Sequence, residues 1–154
     1  MRKRRKRTCA LDLGEARVGV AIDDELGAYA HPKGVLDARP RPALLASLAS
    51  LVRDEGIGRF VVGLPLDMKG GEGDAARKAR LIAQEIADAT GCDVELWDER
   101  LTTVQARRAL EASEVPGRSR GKSTRSVKAR IDEASAVTIL QAWLDARRGP
   151  DGDA

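Results

Sequence analysis

Aromatic residues, histidine and cysteine are all scarce in this 154-residue sequence, and each scarcity removes a class of function. Tyr29, Phe60, Trp97 and Trp143 are the only aromatics, too few to build a platform that stacks unpaired bases. His31 stands alone, and Cys9 and Cys92 have no CxxC spacing, so there is no zinc set and both cysteines read as reduced core thiols. No apolar run approaches the ~18 residues of a membrane span, and the basic start is not followed by an apolar signal region. A cytosolic protein is expected.

Charge, by contrast, is abundant and unevenly placed. The formal net charge is +3, yet Met1–Arg7 holds six positive charges and no negative one, which leaves 21 basic against 24 acidic residues in the rest. A second basic cluster, Gly117–Arg130, carries Arg118, Arg120, Lys122, Arg125, Lys128 and Arg130 with no acid before Asp132. Two concentrated basic segments on an otherwise acidic body point to a polyanion held at two places, although a solubilising arm would also explain the first. With so few aromatics, nucleic acid would be gripped by backbone and shape rather than read base by base.

The length suits one domain. Thr8-Cys9-Ala10-Leu11-Asp12-Leu13 reads as an apolar strand that turns through Gly14–Arg17 and returns as Val18-Gly19-Val20-Ala21-Ile22. A third strand is expected through Ala28-Tyr29-Ala30-His31, limited to a sheet edge by Pro32. Leucines at helical spacing from Leu44 to Leu51 predict a helix that ends at Gly56. Arg59-Phe60-Val61-Val62-Gly63 is a short continuous apolar run, suited to a parallel strand buried on both faces, and it leads into the glycine-rich 64–73 segment. That segment has neither GxxxxGK[ST] nor GxGxxG and is not a nucleotide phosphate loop. A helix over 74–90, a strand over 93–97, a capping box at Thr102–Gln105, a basic loop over 113–122 and a last helix over 123–148 complete the pattern. Residues 1–7 are expected to form a disordered arm, 8–148 the folded domain and 149–154 a frayed tail.

Asp12 is the anomaly. An ionised carboxylate inside an apolar strand costs several kcal/mol unless it is paired, hydrogen-bonded or ligating a metal. It could cap its own turn, or it could hold a divalent ion at the centre of the sheet. Glu99, just beyond the 93–97 strand, and Asp132, on the last helix, could converge with it at one end of the sheet. Carboxylates without histidine or cysteine partners select Mg²⁺ or Mn²⁺, and two such ions ~3.5–4 Å apart support phosphodiester hydrolysis. Plainer accounts exist too: Glu99 suits a helix N-terminus, and Asp132 could pair with Lys128 one turn earlier.

Four segments, DLGEARVGVA, VVGLPLDMKG, WDERLTT and RIDEASAVTILQAWL, in that order, resemble the YqgF/RuvX family of RNase H-like nucleases over about residues 8–147. The resemblance implies an α/β fold with a mixed five-stranded sheet, strands 1–3 antiparallel and 4–5 parallel, flanked by helices. It further implies a metal-dependent nuclease of Holliday junctions or of the 5′ end of precursor 16S ribosomal RNA. Its acidic residues map onto Asp12, Glu99 and Asp132; because the strand beside Asp12 ends in Gly63-Leu64-Pro65 without an acid, Asp98 or Asp67 could contribute as well. Arg125, Lys128 and Arg130, and less strongly Arg17, are the candidate nucleic-acid contacts, and the protein would act as a monomer or a homodimer. Two rivals share some of these features. Sugar-kinase and actin-like ATPases open with the same DxG hairpin but need a second domain, and a non-enzymatic module docking on ribosomal RNA would keep the acids for folding.

Overall fold

The computed structural model describes residues 5–101 and 124–148, with side chains on the last helix described from 130 to 147. The elements are β1 (Arg7–Leu13), β2 (Arg17–Asp23), β3 (Ala30–Asp37), α1 (Arg41–Glu55), β4 (Ile57–Leu64), α2 (Asp74–Thr90), β5 (Asp93–Asp98), a 3₁₀ turn (Glu99–Leu101) and α3 (Thr124–Arg148). One five-stranded sheet runs in the order β3-β2-β1-β4-β5. β1 pairs antiparallel with β2, and β2 with β3, while β4 lies parallel to β1 and β5 parallel to β4. This is the mixed sheet expected from the sequence, with the Asp12 strand in its middle.

Alternation along each strand divides the chain into layers. Cys9, Leu11, Val18, Val20, Phe60 and Val62 point to one face, where Leu44 and Leu48 of α1 and Ile82 and Ile86 of α2 cover them. Ala10, Ala21 and Val61 point to the other, where α3 lies across the sheet with Ala136, Ile139, Leu140, Trp143 and Leu144. On α3 Val137 is only half-buried, whereas Leu140 is fully buried and Trp143 sinks to 3% exposure. Arg59 and Arg147 flank its ring at 5.3 and 4.7 Å, and its N–H donates to Glu95.

β3 departs from expectation in starting at Ala30 and continuing through Pro32 to Asp37. It is an edge strand, and Pro32 pairs with Ala21 where the register shifts, so its missing N–H breaks no regular ladder. Gly14, at the turn between β1 and β2, does not adopt a left-handed backbone. A Cβ there would meet the Arg17 carbonyl oxygen at 2.7 Å, so the hairpin needs glycine for close approach.

At the amino end of β1 lies a fully buried acid. Asp23 is 0% exposed, and its carboxylate accepts hydrogen bonds from the Thr8 amide at 3.0 Å and from Arg5 at 2.9 Å. Arg7 donates to the Asp23 carbonyl and pairs with Glu55, which also pairs with Lys33. The last residues of the basic arm are thus tied down at the end of β1 opposite Asp12, about 17 Å along the strand from it. Among the described residues no helix is long and apolar enough to cross a membrane. The expected capping box at Thr102–Gln105 and basic loop over 113–122 lie outside the described residues, as do Met1–Arg4 and the 149–154 tail.

Candidate functional site

Asp12 is half-buried near the carboxyl end of β1, on the face that α3 covers. Its antiparallel partner in β2 is Gly19. On the other side the parallel register pairs Leu11 with Val62, which sets Gly63 level with Asp12. The acid therefore stands in a row between two glycines, and the space each glycine leaves is taken by another acidic residue.

Over Gly19 the space is filled by α3 itself. A Cβ at Gly19 would lie 2.0 Å from the carbonyl oxygen of Asp132 and 2.4 Å from its carbonyl carbon. Only glycine lets the helix backbone touch the strand at this point, and the touching residue is Asp132. Over Gly63 a Cβ would lie 2.9 Å from Glu99 Oε1 and 2.9 Å from Ile139 Cδ1. Glu99 follows directly on β5, whose Trp97 pairs with Gly63, so the 3₁₀ turn folds its side chain back across the sheet. Asp12, Glu99 and Asp132 are thereby brought to one end and one face of the sheet.

The immediate partner of Asp132 is Arg17, whose Nε donates to Oδ2 at 3.0 Å, with side-chain exposures of 20% and 26%. Sequence spacing suggested Lys128 as that partner; the Lys128 and Arg125 side chains lie outside the described residues. Arg17 is separated from Asp132 by 115 positions, and no local pattern could have joined them. Arg130 is exposed on α3. The helix begins eight residues ahead of Asp132, about 12 Å along its axis, and carries positions 125 and 128 in that stretch.

The two further acids have local employment. Asp98 is held below the ordinary carboxylate range by hydrogen bonds from the Arg100 side chain, which reaches it at 2.8 to 3.1 Å, and by the Arg100 amide. Asp67 accepts from the amides of Lys69 and Gly71, while the Gly70 amide bonds to the Asp67 carbonyl. The glycine-rich 64–73 segment thus turns its amides onto its own aspartate and presents no phosphate cradle, in agreement with the sequence pattern. Arg100 also lies against Gly70, linking this turn to the end of β5; its role could not be seen from sequence, where it is one of many arginines.

Oxygen donors without nitrogen or sulfur suit a hard divalent ion such as Mg²⁺ or Mn²⁺. Among the described residues no group of three acids is close enough to form a complete cage. Mg²⁺ commonly takes one or two carboxylates and keeps several waters, so the donor set fits such an ion without a closed cage.

Comparison with known proteins gives a consistent result. The family model described as "RuvX: Holliday junction resolvase" matches residues 6–146. A protein of Anaeromyxobacter sp. (strain Fw109-5), named "Putative pre-16S rRNA nuclease", is 47% identical over 141 residues, covering 92% of this chain and 98% of that one. A Myxococcus xanthus protein of the same name is 42% identical, covering 96% and 93%. Among solved structures, Thermus thermophilus RuvC in complex with a Holliday junction substrate superposes with a TM-score of 0.59 at 15% identity, covering 94% of this chain and 97% of that one. The fowlpox virus Holliday junction resolvase gives 0.53 at 12% identity, covering 91% and 99%. At such identities the structures speak to the fold alone.

Proposed function

The chain belongs to the RuvX family of nucleases, and from that membership we propose that it is a metal-dependent nuclease that hydrolyses phosphodiester bonds in structured nucleic acid. Its substrate is either precursor 16S ribosomal RNA, cut at the 5′ end, or branched DNA of the Holliday-junction type; the names of its relatives mention pre-16S rRNA and the family description mentions Holliday junctions. The observation that carries the reading is the glycine pair beside Asp12, since Gly19 and Gly63 give up their side chains at the one level where Asp132 and Glu99 come in.

In this reading Asp12, Glu99 and Asp132 hold Mg²⁺ or Mn²⁺. When bound, a pair of such ions supplies an activated water and neutralises charge on the leaving oxygen. The chain's own residues fix the geometry. Gly19 sets the Asp132 backbone against β2, and the short turn after β5 sets Glu99 over Gly63. Arg130, and Lys128 and Arg125 one and two turns ahead of Asp132, lie along the same helix, where they grip phosphates flanking the scissile one. Arg17 is placed to approach the same backbone.

One observation favours a second reading, a non-enzymatic module that docks on ribosomal RNA. Asp132 is already ion-paired with Arg17, as a purely structural acid would be. The two readings separate in one experiment: wild type and Asp12→Asn are given a 16S precursor leader RNA and a synthetic four-way DNA junction, with Mg²⁺, Mn²⁺ or EDTA. The nuclease reading expects metal-dependent cutting of one substrate, lost in the variant. Salt-sensitive binding without cutting under any metal would establish the docking module instead.

A further inference from the structure

The Arg17–Asp132 pair has an unusual position. Asp132 cannot move its backbone, because its carbonyl rests on Gly19. Arg17 lies two residues from Gly19 on the same strand face, so guanidinium and carboxylate are anchored to one surface and meet at 3.0 Å. Asp12 and Glu99 occupy the same end of that face. Gathered carboxylates repel one another unless a cation lies among them, and in the metal-free protein Arg17 supplies a positive charge at this place. The pair is only 20% and 26% exposed, so water screens it weakly.

The same geometry sets Arg17 against a divalent ion. Like charges within ~4–6 Å oppose each other, and an ion ligated by Asp132 would come that close to a guanidinium bound to the same carboxylate. We infer that Arg17 is the resident counter-ion of Asp132 and competes with the divalent metal for it, so that metal binding requires Arg17 to give up this aspartate. The inference rests on the proposed metal site but assigns Arg17 a different part from phosphate contact alone. Arg17 is a positioning residue: it holds the Asp132 side chain in place and sets a threshold that a divalent ion must overcome to bind.

The test is Mn²⁺ binding to the metal-free full-length protein, followed by electron paramagnetic resonance of the free ion and by titration calorimetry. Wild type, Arg17→Gln, Arg17→Lys and Asp132→Asn are compared, with circular dichroism confirming that each is folded. Arg17→Gln keeps a polar chain of similar reach without the charge, and its Mn²⁺ dissociation constant should fall about tenfold, whereas Arg17→Lys should stay within about twofold of wild type. A tighter Arg17→Gln that loses its gain when combined with Asp132→Asn supports the competition. Equal or weaker binding by Arg17→Gln, with wild type binding Mn²⁺ normally, overturns it and leaves the metal site standing. Absence of Mn²⁺ binding from wild type and Arg17→Gln alike would overturn the metal site itself, and the competition with it.

Discussion

Adding one methyl group at Gly19 should damage both stability and chemistry, and the size of the damage can be worked from the contact. The new carbon would lie 2.0 Å from the Asp132 carbonyl oxygen, where side-chain carbons in proteins stay beyond 3.0 Å. The obstacle is helix backbone, which cannot rotate away like the end of a side chain. Helix α3 must therefore retreat by about an ångström or β2 must bend. Overpacking of this kind costs about 1–3 kcal/mol, and a backbone obstacle puts Gly19→Ala at the upper end. For a chain of this size, about 3 kcal/mol lowers the unfolding midpoint by roughly 6–12 °C. Because the displaced residue is Asp132, cleavage should fall about 100-fold even where the variant is fully folded, the usual cost of a misplacement near 1 Å. Thermal unfolding followed by circular dichroism measures the first effect, and single-turnover cleavage well below the midpoint measures the second. Gly73→Ser is the control: its Cβ meets nothing within 4 Å, its backbone is extended and it caps α2, so it should be neutral or slightly stabilising. If Gly19→Ala unfolded within a degree of wild type and cut at an unchanged rate, the seating of α3 on β2 described above would be wrong.

Three other perturbations have definite expected outcomes. Asp23→Ala deprives the buried Thr8 amide of its acceptor and Arg5 of its partner; Arg5 can hydrate, so the loss is that of one buried unsatisfied donor, about 1–3 kcal/mol, read as a lower denaturant midpoint with unchanged slope. Glu55 is held below the ordinary carboxylate range mainly by its hydrogen bond from Lys33, with Arg7 adding to the effect. A depressed folded pKa contributes stability that is complete above the unfolded value and is lost as pH falls through the folded one. The stability gap between wild type and Glu55→Gln should therefore be constant from pH 7 to about 5 and close below about 4, and a gap that widened in acid would refute the assignment. Burial, with some help from Asp23, pushes the Cys9 thiol far above its usual range. At neutral pH Cys9 should resist alkylation in the native protein while the half-buried Cys92 reacts, which peptide mapping after iodoacetamide treatment would show.

Local pattern carried most of the fold. The continuous apolar run around Val61 announced a strand buried on both faces, and α2 spans 74–90 as its spacing and Gly91 indicated, with Gly91 taking the left-handed conformation at φ 73°. Period and punctuation are properties of neighbouring residues, so a sequence states them directly. Pattern erred in the bounds of β3, expected over 28–31 but running from Ala30 to Asp37; Pro32 sits in an edge strand as expected, at a register shift that only pairing with β2 reveals.

The same division runs through the site. The sequence alone determined that Asp12 is out of place in an apolar strand, that Glu99 follows a strand end and that Asp132 rides on an amphipathic helix, because each statement compares a residue only with its immediate surroundings. It also determined that metal-binding chemistry here would be carried by oxygen alone, since histidine and cysteine are nearly absent. Tertiary structure decided what Gly19 and Gly63 are for, because a missing side chain has meaning only when something else fills its space. It also decided that Arg17, not a helical neighbour, meets Asp132, and that Arg5 and Arg7 are engaged by Asp23 at the far end of the sheet. These contacts join residues brought together only by the path of the whole chain, and their energies depend on distances that no spacing along the sequence contains.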